Sequence, residues 1–388
     1  MTKDAQYWAE WFWGPFFTEW LGRVQDDHGG VFDTLDADAN PELGANKSLL
    51  AQTRTLFTFA HAGLATGDPV FVKAAQRQLS FLQHFQKAPG LYRCITKRDG
   101  SPTGAAQDEY ARSYDHSFVI LGLTTLNKLS PSPEIGTLID QCWTALTEKL
   151  TDPATGLLRN DDSGVVTDPA QNPHMHLYEA CLQAFRMTDN AIWLTRATHL
   201  RKTGLRYFLD PDSGTITEFL TPTLEPLPGA AGHRREVGHQ CEWAWLLEEE
   251  AALANIPEPL ETAKLLFGFT AKHGFDKDGL FKGAVFDAVS DTGNVVENSY
   301  LLWPQTEAIK ILAIRHTAGQ ADARDHGRAL MCLMFERWFE DRTCFVNQFD
   351  QDGKCIWPQG LTRLMYHLVI AMTEGAKAGL WPKIPRTP

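Results

Sequence analysis

Residues 5–24, AQYWAEWFWGPFFTEWLGRV, place Trp8, Trp11, Phe12, Trp13, Phe16, Phe17 and Trp20 on one predicted helix. A helix that meets solvent keeps one face polar, so aromatic side chains on every face require partners on more than one side. Such a helix makes a poor cap for an open stack of helices. It suits a ring that closes on itself.

The rest of the chain supplies the other parts of that ring. A short turn ending in glycine, usually before an apolar residue, recurs six times with variations: DDHGGVF around Gly30, APGLY at Gly90, DPATGLL at Gly156, DPDSGTI at Gly214, DKDGLF at Gly279 and DQDGKCI at Gly353, at intervals of about 58 to 74 residues. Each interval holds two helices, and Leu49, Leu50, Thr53, Leu56, Phe57 and Ala60 fall at helical spacing. Helices are expected at 5–24, 46–66, 69–88, 112–128, 133–150, 175–188, 190–208, 236–254, 257–272, 299–317, 320–339 and 360–378. Twelve helices in six hairpins either stack as an open solenoid or close into a double ring. The aromatic first helix favours closure, so the expected fold is an all-α (α/α)6 barrel, with residues 1–388 as one domain.

Composition narrows the partners. The 388 residues carry a formal net charge of -12, with no Lys/Arg run longer than two, which excludes nucleic acid and an anionic membrane surface as expected partners. No apolar run approaches the roughly 20 residues that span a bilayer. The aromatic start carries acids throughout and lacks a signal-peptide layout. Seven cysteines without a C-x-x-C pair point to reduced thiols and a cytoplasmic protein. The aromatic terminal helix leaves both a monomer and a homodimer open.

Unusual polar and aromatic residues keep the same period as the turns. Arg54, Asp115, His176, His239, Trp303 and His367 are separated by about 61 to 64 residues, each in the first turns of alternate helices. In a closed ring those helices form the inner layer, and equivalent positions converge at one end of the axis. Polar groups for hydroxyls and an aromatic face for C–H groups compose a pocket for a small sugar. Taken singly, each residue has a structural role open to it. Arg54 can pair with a core carboxylate and Asp115 can start a helix. His176 with Glu179, and His239 with Glu242, can be side-chain pairs three residues apart, and Trp303 can belong to the core. The H-x-H of His174 and His176 invites a metal, but residues two apart on a helix point about 200° from one another and rarely chelate together. No metal and no cofactor are therefore expected.

Five motifs carry a resemblance: QTR at 52–54, NPHMHLYEA at 172–180, GHQCEWAWL at 238–246, WPQTEA at 303–308 and YH at 366–367. In this order the chain resembles the N-acylglucosamine 2-epimerase superfamily along essentially its whole length. The resemblance implies an (α/α)6 barrel and a sugar isomerase or epimerase in which His239 and His367 are the paired acid/base histidines. It also implies that Arg54, Asn172, His176 and Glu242 contact the sugar or orient those histidines, and that Trp303 lines the pocket. Arg363, one helical turn before the last histidine, departs from the pattern; its charge selects an anionic sugar or pairs with an acid.

Isomerisation at C1–C2 needs the sugar ring opened and the resulting enediolate stabilised. Histidine, with an ordinary pKa near 6.5, serves as base or acid at neutral pH, and Arg54 suits the developing negative oxygen. Glu242 is expected to hold His239 in one tautomer. The favoured expectation is an aldose–ketose isomerase of the mannose/fructose type, because no accommodation for an N-acyl group or nucleotide is evident. A 2-epimerase of an aldose, N-acylhexosamine or cellobiose-type disaccharide is the alternative. A glycoside hydrolase or lyase built on Asp115 and Glu242, or a non-catalytic sugar-binding protein, fits less well because it leaves the histidines unexplained.

Overall fold

The computed structural model describes residues 3–340 and 342–384. The first helix, α1, runs through Ala5–Trp11, a π-helical stretch Phe12–Phe16 and Phe17–Val24. The π stretch accommodates Pro15, which has no N–H to continue an α-helical ladder. Eleven further helices follow: α2 Leu49–Thr66, α3 Pro69–Leu82, α4 Ser113–Leu129, α5 Pro133–Lys149, α6 Gln171–Thr188, α7 Ile192–Phe208, α8 Val237–Ala254, α9 Glu258–His273, α10 Leu302–Thr317, α11 Ala323–Met334 and α12 Met365–Lys377. A one-turn helix, Gly229–His233, precedes α8. No described helix is long and apolar enough to cross a membrane.

The even-numbered helices pack side by side in order, and α12 returns to α2, so they form a closed inner ring. Their burial follows from that position: α8 is buried without a break from Val237 to Ala251. Odd-numbered helices form the outer layer. Among the described residues no outer helix follows α12, and α1 packs in that place. It stacks Trp8 on Phe335 beyond α11, Phe17 on Phe71 of α3 and Trp20 edge-on against Phe59 of α2. Closure is completed by antiparallel pairing of Thr34–Leu35 with Gly360–Leu361. The chain is an (α/α)6 barrel.

Hairpin turns are written locally. Gly67 ends α2 in the left-handed region, Asp68 caps α3 by accepting the Val70 N–H at 2.9 Å, and Pro69 opens that helix. Several expected boundaries shift where strand pairing overrides helical spacing. Ser299–Leu301 and Gly360–Leu361 are strands, and Gln86–Ala88 leaves the expected 69–88 helix to pair with Leu91–Tyr92. Helix α6 starts earlier than expected, at Gln171, because Pro173 in the first turn costs no internal hydrogen bond.

The fourth residue of five inner helices ties the ring to the glycine turns. Gln52, Gln240 and Gln305 each accept a backbone N–H and return an amide hydrogen to the same residue, Val31, Ile216 and Val285 respectively, at 2.8 to 3.0 Å. His116 and His174 do the accepting half through Nε2, from Tyr92 at 3.1 Å and Leu158 at 2.8 Å. These latches carry the true period of the fold, and they explain why two histidines outside the pocket are buried.

Candidate active site

The amino ends of the inner helices open on a cavity of about 250 Å³, at the low end of small-molecule pockets. Arg54, Tyr114, Asn172, His176, His239, Glu242, Trp303, Arg363 and His367 line it, with Glu218, Glu236, Asn347 and Trp357 contributed by the segments between helices. The six residues expected at a single locus occupy three helix positions. Trp303 is second in its helix, Asp115, His239 and His367 are third, and Arg54 and His176 are sixth. The third and sixth positions are one turn apart on one face, which is why a loose period located them.

Three histidines of the pocket share one arrangement, Nδ1 against a glutamate. His176 Nδ1 is 2.9 Å from Glu179, His239 Nδ1 is 2.8 Å from Glu218 and His367 Nδ1 is 2.7 Å from Glu307. A carboxylate only accepts, so each Nδ1 carries the proton and the tautomer is set. His239 and His367 both lie against the Trp303 indole, with ring centroids 5.0 and 5.8 Å away. Gly238 leaves room for that indole, since a Cβ there would meet its ring.

The environments of these two histidines are opposite. Burial works against a charge on His239, but Glu218, Glu236 and Glu242 outweigh it and push the group up to about 10. His239 is therefore an imidazolium at neutral pH. Burial and the nearby charges of Arg54 and Lys310 push His367 well below the usual histidine range. Its Nε2 lies 3.2 Å from Arg54 Nη1, and because a guanidinium only donates, that nitrogen carries no proton and its lone pair accepts from Arg54. Arg54 also donates to the Tyr114 hydroxyl at 2.7 Å and lies over the Phe118 ring at 4.1 Å. One acid and one base separated by environment rather than residue type is the arrangement proton-transfer sites use.

Beneath the pocket Lys310, fully buried, pairs with Glu307 and lies 3.7 Å from Glu242. Burial opposes its charge, but Glu307, Glu242 and Glu179 outweigh that and raise its pKa. The sets His176–Glu179–Glu242, Glu218–Glu236–His239 and Glu242–Glu307–His367 each bring ligand-type atoms within 4.8 Å of one another. In all three sets a histidine Nδ1 already meets a carboxylate, and Lys310 supplies a cation between Glu307 and Glu242.

The profile of the N-acylglucosamine 2-epimerase (GlcNAc 2-epimerase) family matches residues 30–371. The chain belongs to this family. It is thus a sugar isomerase or epimerase, and an enzyme. A mannose-6-phosphate isomerase of Rhizobium meliloti (strain 1021) is 28% identical over 378 residues, 94% of this chain and 95% of the relative. A crystal structure of a D-mannose isomerase superimposes with a TM-score of 0.83 at 21% identity, covering 95% of this chain and 97% of the other. The cellobiose 2-epimerase of Bacillus thermoamylovorans B4167 gives 0.79 at 16% identity, covering 92% and 99%.

Within this N-acylglucosamine 2-epimerase family barrel, the expected site residues are not all where the sequence pattern suggests. Asp115 is buried but outside the cavity lining, and its neighbour Tyr114, about 100° around the helix, faces the cavity instead. Glu242 does not hold His239. It faces His176 Nδ1 at 4.0 Å and Lys310, and neither of its oxygens has a hydrogen-bond partner. Sequence reasoning missed Glu218, although a signal was present. Asp33, Glu218 and Asp287 each follow a glycine turn and accept the N–H of the residue just before an inner helix, Ser48, Glu236 and Leu301. Only Glu218 has the extra methylene that carries its second oxygen on to a histidine. Glu307 lay within a recognised motif without an assigned role.

Proposed function

We propose that this enzyme interconverts an aldose and its ketose, of the mannose/fructose type, through a cis-enediolate, with no metal taking part. One arrangement carries the reading: His239, beside Glu218 and Glu236, is held as an acid and His367, beside Arg54, as a base against the same indole. The His239 imidazolium gives a proton to the ring oxygen as the hemiacetal opens, and the proton leaving the C1 hydroxyl restores it. With Arg54 turned to the sugar oxygens, His367 Nε2 takes the C2 proton and, after exchange with solvent, gives a proton to C1 on the same face, while His239 protonates O1 and takes the proton of the C2 hydroxyl. Arg54 stabilises the enediolate oxygens, an electrostatic role worth roughly 3 to 4 kcal/mol in other enzymes. Glu242, which has no hydrogen-bond partner, and Asn172, whose carbonyl oxygen likewise has none, receive sugar hydroxyls. His176 shapes the same wall.

Same-face transfer needs a single base, and Glu218 and Glu236 keep His239 from acting as a second one. The relatives named as mannose-6-phosphate isomerase and D-mannose isomerase agree with this outcome. A 2-epimerase reading draws on one observation, the contact of both histidines with Trp303, because protonation of C2 from the opposite face requires a second proton-carrying group.

The test is NMR in heavy water with EDTA, supplying mannose, fructose, glucose and cellobiose separately. Fructose formed from mannose with deuterium at C1 is the expected result. A 2-epimer labelled at C2 identifies the epimerase, and loss of turnover in EDTA, restored by a divalent ion, overturns the metal-free mechanism.

A further inference from the structure

Arg363 sits on the 3-10 turn Thr362–Leu364, directly before α12, and its side chain lines the cavity. Four other arginines have carboxylate partners: Arg186 with Glu249, Arg201 with Glu250, Arg235 with Asp210 and Arg315 with Glu248. Arg363 makes no ion pair and no hydrogen bond among the described residues. Asp33 and Asp115 act on it only at a distance, and Asp33 is already bonded to Ser48 and Gln52. The cation it feels most strongly is Arg54, whose own hydrogen bonds go to neutral acceptors. One side of the cavity therefore carries two guanidiniums without a bonded carboxylate, while Glu218, Glu236 and Glu242 line another part of it.

A partly buried guanidinium is stable when its donors are met, and an anion meets them best, by a forked charge-assisted bond. Arg54 borders the reacting carbons through His367. Arg363, one turn toward the mouth, is placed for a group remote from C1 and C2. Resting on the isomerase reading, we propose that the preferred substrate is a hexose with an anionic group, phosphate or carboxylate, at its C6 end, bound by Arg363.

Two measurements on the intact protein test this: kcat/KM for mannose, mannose 6-phosphate and mannuronate, and calorimetric binding of the same three sugars. Wild type is expected to favour one of the anionic hexoses. In R363M the ratio of anionic to neutral kcat/KM is expected to fall at least about tenfold, the effect of one charge-assisted hydrogen bond, with R363K in between. The binding preference should fall in parallel, which keeps the proposal testable if no sugar is turned over and the isomerase reading fails alone. An unchanged ratio in R363M, or wild type binding neither anionic sugar more tightly than mannose, overturns it.

Discussion

Glu218 divides one carboxylate between two tasks: Oε1 accepts the N–H of Glu236 at 3.1 Å, and Oε2 meets Nδ1 of His239 at 2.8 Å. Gln171 donates to the same Oε2 at 3.1 Å and is itself held by the Trp243 indole N–H at 2.7 Å, so the carboxylate has little freedom to turn. Helix entry and histidine charge are thereby coupled in a single side chain. In E218D the backbone contact is expected to survive while the shorter arm loses His239. Activity should drop about 10²-fold, the low end of general acid–base effects, with the urea midpoint little changed.

The pH profile follows from the opposed shifts. His239 is an acid below about 10 and loses that role as pH rises through this value. His367, pushed well below 6.5, keeps its base form down past neutrality. The profile of kcat/KM is therefore expected to be level from about 6.5 to about 10. In E218Q the charge raising His239 is reduced, and the alkaline limb should move down by more than one pH unit. An unmoved limb assigns the titration to another group.

Arg54 contacts His367 and Tyr114 and lies where negative charge develops. R54M is expected to lower kcat by about 10²–10³-fold, as removal of one oxyanion donor does elsewhere, with a smaller change in KM. Deuterium exchange at C2 of the sugar, read separately from product formation, should fall by the same factor because enediolate formation is the step affected.

Lys310 balances Glu307 and Glu242 in a fully buried cluster. K310M leaves two interior carboxylates without their cation and is expected to cost about 3–5 kcal/mol in urea unfolding. The double variant K310M/E307Q should recover part of that loss. A single variant as stable as wild type removes the ion cluster as a structural element.

The latch histidine His174 accepts from Leu158 through Nε2, but its buried Nδ1 has no partner. Other repeats place glutamine at this position and satisfy both ends. H174Q is expected to match or exceed wild-type stability, whereas H174L forfeits the acceptor at a cost of about 1–3 kcal/mol.

The sequence by itself determined the architecture and the end of the barrel that holds the chemistry. Glycine turns with their period, helical spacing and an aromatic first helix are local properties of the chain. They prescribe helical hairpins and require burial on several sides. The same spacing brought Arg54, His176, His239, Trp303 and His367 to one cavity, since equivalent positions in a ring converge on its axis. What only the tertiary structure decided was which atoms meet. Asp115 and Tyr114 are consecutive, about 100° apart around α4, and the face that meets the cavity carries the tyrosine. Glu242, three residues from His239, was the natural partner by helical spacing. The structure turns it to His176 and Lys310 and brings in Glu218 from a loop before α8. Likewise His367 meets Glu307 and Arg54, distant in the chain and adjacent across the ring. Periodicity specifies the face of a helix, but the charge state of a buried histidine depends on carboxylates a few ångströms away, which closure of the ring positions.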